Sequence, residues 1–86
     1  MEFPPVTVYT TKNCVQCMST KRQLQKYNIE FTEVSLETVP EKLAEFKEAG
    51  YVSAPIVTTD TKIWSGFRLE KIKNLAGYID SIRASK

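Results

Sequence analysis

The chain reads as one α/β domain: a four-stranded mixed sheet flanked by helices, in the order β-α-β-α-β-β-α. Three observations predict this. A β-branched alternating run near the start is followed by a long stretch of helix formers. A second strand-then-helix pair repeats that order. The chain then closes with two short strand-like runs and a one-faced amphipathic helix. Its 86 residues fit a single domain spanning positions 1–86.

Val6-Thr7-Val8-Tyr9-Thr10 alternates and is β-branched, so it is the first strand. Asn13 is the expected helix N-cap, with Gln16 three residues on as a weak capping box. From about Val15 to Tyr27 the chain lacks Gly and Pro and is rich in helix formers. Met18, Leu24 and Tyr27 give that helix only a narrow apolar face. Asn28 ends it, and Ile29 to Leu36 is the second strand, with Thr32, Val34 and Leu36 on one side.

Pro40 suits the first turn of a second helix. Val39, Leu43, Phe46 and Ala49 repeat at helical spacing, and Gly50 sits where a C-terminal cap belongs. Ile56–Thr59 and Lys62–Ser65 are two strands around an Asp60-Thr61 turn, a hairpin without the favoured Asn-Gly or Asp-Gly pair. Leu69, Ile72, Leu75, Ala76, Ile79 and Ile82 mark the closing helix, in which Gly77 costs up to ~1 kcal/mol relative to Ala. The first βαβ unit requires a parallel strand pair with a right-handed crossover, and the later hairpin adds antiparallel strands.

Composition excludes several functions. Twelve basic and ten acidic residues leave a net charge of +2, too small to argue for nucleic acid or an anionic membrane. No apolar run approaches the ~18–20 residues of a membrane span. Met1-Glu2-Phe3-Pro4-Pro5 has neither a basic start nor an apolar core, so no secretory signal and a cytoplasmic location are expected. The absence of histidine removes every mechanism built on an imidazole base.

Two cysteines without an export signal are not a disulfide scaffold. Cys14-Val15-Gln16-Cys17 lies at the turn from the first strand into the first helix, where a Cys-x-x-Cys reads as a redox motif. Unpaired N–H groups at a helix start favour negative charge, which lowers a thiol pKa and raises its thiolate fraction. Lys12 is near enough in sequence to add to this. Cys17, three residues later on the same face, is the deeper thiol and the resolving partner. Two other readings stand beside this one. A structural zinc site needs four ligands, and two thiols without an imidazole supply them only in a dimer or with carboxylates. The other is two inert buried thiols, since small apolar packing is a common fate of free cysteine.

Taken together, Cys14-Val15-Gln16-Cys17, Thr20-Lys21-Arg22, Val39-Pro40, Ala54-Pro55-Ile56-Val57 and Trp64-Ser65-Gly66-Phe67-Arg68 resemble the NrdH-redoxins, glutaredoxin-like proteins of the thioredoxin superfamily. The resemblance runs from the first strand into the last helix. It implies the thioredoxin fold and a thiol–disulfide oxidoreductase whose redox-active disulfide is Cys14–Cys17, with no bound cofactor and no metal. It further implies electrons drawn from NADPH through thioredoxin reductase and delivered to class Ib ribonucleotide reductase, in a monomer that binds neither nucleic acid nor membrane. Pro55 would be cis and would present the Ala54 backbone to a substrate chain as an added strand. Lys12, Val15, Gln16, Ala54, Pro55, Trp64, Ser65, Gly66, Phe67 and Arg68 would form the partner-binding face.

A glutathione-using glutaredoxin typically carries Cys-Pro-Tyr-Cys, Thr-Val-Pro and a Gly-Gly-x-Asp near the last helix. This chain has Cys14-Val15-Gln16-Cys17, Ser53-Ala54-Pro55 and Ser65-Gly66-Phe67-Arg68-Leu69-Glu70. The usual aspartate is missing, with Glu70 its nearest substitute. The chain also departs from the NrdH run Phe-Arg-Pro-Asp, since Leu69 and Glu70 stand at its end and remove a helix-starting proline and a better cap. Some members have a histidine after the second cysteine, where this chain has Met18. Trp64 has two readings, a core residue or part of an exposed docking patch with Gly66 and Phe67. Gly66 is expected to need a positive φ. A glutathione-dependent glutaredoxin and a non-catalytic metal-binding or interaction module remain the alternatives.

Overall fold

The computed structural model describes residues 5–52, 54–60 and 62–84. The start of the chain through Pro4, Ser53, and the Thr61 half of the expected hairpin turn lie outside the described residues.

The first strand, β1 (Thr7–Thr10), is followed by α1 (Val15–Lys26) and β2 (Thr32–Ser35). A 3-10 turn (Leu36–Thr38) leads into α2 (Pro40–Glu48). Then come β3 (Ile56–Thr58), β4 (Ile63–Ser65) and α3 (Leu69–Ala84). The four strands lie in the order β2-β1-β3-β4. β1 pairs parallel with β2, with Val8 opposite Glu33, and antiparallel with β3, with Val8 opposite Val57. β3 pairs antiparallel with β4. This is the mixed sheet that the sequence predicts, and it is the thioredoxin fold.

Alternation along β1 sends side chains to opposite faces of the sheet. Val8 and Thr10 are buried on one side. There Val8, Val57 and Trp64 pack with Leu24 of α1 and with Ile72 and Ile79 of α3. On the other side Tyr9 and Ile56 meet Phe46 and Leu43 of α2. The Tyr9 and Phe46 rings make an edge-to-face contact with centroids 4.9 Å apart, a favoured aromatic geometry. Two helices therefore cover one face and α2 covers the other.

Local signals account for most element ends. Pro40 occupies the first turn of α2, where its missing N–H costs nothing. Gly50 closes that helix at φ 93°, and Asn28 follows α1 at φ 57°, both left-handed positions. α3 starts at Leu69 without the family's proline, and the Arg68 carbonyl accepts the N–H groups of Lys71 and Ile72.

Four expectations are corrected. Asn13 does not cap α1: it adopts φ 54°, and Cys14 is the N-cap residue. The second strand is confined to Thr32–Ser35, because the Ser35 hydroxyl accepts the Glu37 N–H and draws the following residues into the 3-10 turn. Met18 is not on the apolar face of α1, which is formed by Cys17, Thr20 and Leu24; Met18 lies one residue off that stripe and is exposed. Trp64 is 4% exposed and sits in the core, so it is not part of an exposed docking patch. Its position in β4 opposite Val57 sends the ring into the α1/α3 layer.

Candidate functional site

Cys14 and Cys17 are joined as a disulfide at the start of α1. Extended backbone at Cys14 (φ −104°, ψ 103°) turns the chain from the loop after β1 into the helix. That non-helical conformation lets the N-cap sulfur swing over the first turn and meet a partner three residues on. Cys14 Sγ also accepts the Cys17 N–H at 3.1 Å. The sulfur therefore occupies the place that a capping oxygen takes in most helices. A thiolate there faces an unpaired backbone donor and the positive end of the helix dipole.

The two sulfurs differ in access. Cys14 is half-buried, whereas Cys17 is 2% exposed. An incoming disulfide can therefore meet Cys14, while Cys17 is held beneath it within bonding reach. Cys17 is thus the deeper of the two sulfurs, as its place further into the helix predicts.

Beside the disulfide, Gln16 reaches across the molecule. Its Oε1 accepts the Phe67 backbone N–H at 3.0 Å. Gly66, at φ 80°, donates its own N–H to the Pro55 carbonyl at 2.8 Å. Pro55 is buried, and the Ala54–Pro55 peptide bond is cis. These bonds connect three segments that are distant in sequence: the cysteine tetrad, the loop before β3 and the turn before α3. A Cβ at position 66 would stand 3.5 Å from Gln16 Oε1, an ordinary contact, so the positive φ is what requires glycine here.

Val15 is 76% exposed and Phe67 37%. Met18 and Val52, which the sequence reading did not assign to the site, are also large exposed apolar side chains, next to Cys17 and two residues before Ala54 in the chain. Ala54, Ser65 and Gly66 are half-buried, and Ser65 pairs with Ile56 across the β3–β4 ladder. Arg68 turns to Glu70, 3.5 Å away, and Lys12 to Glu37, 3.7 Å away, both on the surface. Lys12 thus shares its charge with a carboxylate, and exposed pairs of this kind contribute little.

One cluster near the cysteines has no counterpart in the sequence reading. Glu33 Oε2 accepts from Lys21 Nζ at 3.0 Å and from the Thr10 hydroxyl at 3.2 Å. It joins β1, β2 and α1 one helical turn beyond Cys17. No local pattern announces it, because its members are 12 and 23 residues from Glu33. Among the described residues, no three His, Cys, Asp or Glu side chains converge as metal ligands would, and no helix is long and apolar enough to cross a membrane.

Residues 6–64 match the glutaredoxin family model. The glutaredoxin-like protein NrdH of Lactococcus lactis subsp. cremoris is 38% identical over 71 residues, covering 83% of this chain and 99% of the relative. A glutaredoxin of Pseudomonas aeruginosa is 36% identical over 65 residues, covering 74% of this chain and 70% of the relative. The solved structure of NrdH-redoxin from Escherichia coli superposes with a TM-score of 0.79 at 34% identity, covering 83% of this chain and 93% of that one.

Proposed function

Because this chain belongs to the glutaredoxin family, as one of its NrdH-type thiol–disulfide oxidoreductases, we propose that it carries electrons from thioredoxin reductase to protein disulfides. Its principal acceptor in this reading is class Ib ribonucleotide reductase, and it works in the cytoplasm. The observation that carries the proposal is the half-buried Cys14 sulfur at the start of α1, bonded to a buried Cys17.

The chemistry follows from that arrangement. The Cys14 thiolate attacks one sulfur of a substrate disulfide. A mixed disulfide forms and the other substrate sulfur leaves as a thiolate. Cys17 then gives up its proton and attacks Cys14 Sγ, releasing the second substrate thiol and closing Cys14–Cys17. Two electrons have passed to the substrate. A reductase returns two electrons from NADPH and restores the dithiol.

Three features favour thioredoxin reductase over glutathione as the electron source. The Gly66 and Phe67 N–H groups, which stand before α3, already bond to Pro55 and Gln16. They are not free to receive a tripeptide carboxylate. Glu70, the nearest stand-in for the missing aspartate, is paired with Arg68. The similar E. coli protein has a thioredoxin-like activity profile. Val15, Met18, Val52 and Phe67 offer apolar contact for a protein partner, and the Ala54 backbone is the edge on which a substrate strand would pair.

The test is a pair of coupled assays with the oxidised protein. One contains NADPH and thioredoxin reductase; the other contains NADPH, glutathione and glutathione reductase. Rapid NADPH consumption in the first alone is expected. Consumption only in the second would replace this reading with a glutathione-dependent glutaredoxin.

A further inference from the structure

Lys21 lies four residues after Cys17 on α1, so the two side chains share a helix face, with Cβ atoms roughly 5–6 Å apart. Cys17 is 2% exposed. The Lys21 side chain is 28% exposed and Glu33 44%, so this ion pair is partly shielded from solvent. Glu33 is held from two sides, by Lys21 at 3.0 Å and by the buried Thr10 hydroxyl at 3.2 Å. Thr10 ends β1, immediately before the loop that carries Cys14. The carboxylate is therefore fixed, and it fixes the ammonium against β2. The other ion pair near the cysteines, Lys12–Glu37, is mostly solvent-exposed and screened.

From this geometry, and on the reading that Cys14 and Cys17 cycle between dithiol and disulfide, we infer that the Lys21–Glu33 pair sets the redox potential of the protein. Lys21 and Glu33 act as positioning residues; neither touches the reacting sulfurs in the exchange. A lone positive charge one turn from Cys17 would stabilise thiolate, and so the reduced form, making the protein more oxidising. Glu33 offsets that charge and draws it toward the sheet. The pair leaves the reduced form without this extra stabilisation, which suits a protein that must donate electrons.

The inference predicts opposite signs for the two single variants. Glu33→Gln leaves Lys21 uncompensated, while its amide oxygen still accepts the Thr10 hydroxyl and the Lys21 ammonium. Lys21→Met leaves Glu33 uncompensated and keeps the aliphatic stem. The equilibrium between dithiol and disulfide forms is measured in glutathione buffers of defined ratio, by thiol alkylation and mass. Glu33→Gln should shift the equilibrium constant by about threefold or more toward the dithiol, and Lys21→Met should shift it toward the disulfide. The double variant should return close to the parent.

A merely structural clasp would lower the urea midpoint of both single variants and leave the equilibrium constant within about twofold of the parent. That result, or shifts of the same sign in both, would overturn the inference. The parent titration separates this failure from failure of the proposed function. A parent that forms no reversible Cys14–Cys17 disulfide refutes the electron-carrier reading itself. A parent that titrates normally beside variants that coincide with it refutes only the role of the ion pair.

Discussion

Gln16 Oε1 accepts the backbone N–H of Phe67, 51 residues away, at 3.0 Å. That bond joins the dipeptide between the cysteines to the turn that opens α3. Gly66, next to Phe67, bonds to Pro55 through its backbone, so one side-chain bond and one backbone bond link the tetrad, the turn before α3 and the loop before β3. A hydrogen bond of this kind contributes about 0.5–1.5 kcal/mol net.

Replacing Gln16 by Met keeps the length of the side chain and removes its acceptor. The Phe67 turn should loosen, and kcat/KM for a protein disulfide should fall about two- to tenfold, the range that corresponds to one lost hydrogen bond. The stability measured in urea should fall by no more than that bond's worth, about 0.5–1.5 kcal/mol, because Gln16 is exposed and adds little packing. Steady-state kinetics with a disulfide substrate, run beside equilibrium unfolding, check both.

Cys14→Ser should abolish disulfide reduction. Cys17→Ser should stop the reaction at the mixed disulfide, since no thiol remains to attack Cys14 Sγ. Intact-mass spectrometry after mixing each variant with an oxidised substrate reads the outcome directly. A trapped adduct is expected with Cys17→Ser alone.

Trp64→Ala should cost about 3–5 kcal/mol of stability, the range for truncating a large buried aromatic. The ring is 4% exposed and packs in the layer between the sheet and α1/α3. Urea unfolding measures this. Were the ring a surface docking element, the same substitution would leave the midpoint in place.

Val15→Ser should weaken protein-disulfide reduction through KM and leave kcat and stability near the parent. Val15 is 76% exposed beside Cys14, so its methyl groups offer contact area to a partner and little to the core. The burial of one such side chain in a complex is worth about 1.5–3 kcal/mol at most. Kinetics with a small disulfide, which has no surface to cover Val15, should be unaffected.

The architecture was legible because local chemistry and tertiary position agree. β-branched alternation marks β1, Pro40 and Gly50 bracket α2, and the apolar stripe from Ile72 to Ile79 faces the sheet. The cysteine pair was legible for the same reason, as a local motif at a strand-to-helix turn. What the sequence misassigned lies where two local preferences compete. Asn13 and Cys14 both precede the helix, and the sulfur took the cap while Asn13 took the left-handed position that its short polar side chain tolerates. Ser35 ended β2 early by bonding to the Glu37 N–H. Contacts that cross the sequence left no local trace, which is why the link from Gln16 to Phe67 and the grip of Thr10 and Lys21 on Glu33 emerge only from the fold.

Everything rests on Cys14 being a nucleophile at neutral pH. The most direct measurement is the rate of Cys14 alkylation in the reduced protein as a function of pH, followed by peptide mass. A midpoint clearly below about 8.5, the value of a free thiol, is predicted, because the Cys17 N–H and the start of α1 face the sulfur. A midpoint at or above that value would contradict the account.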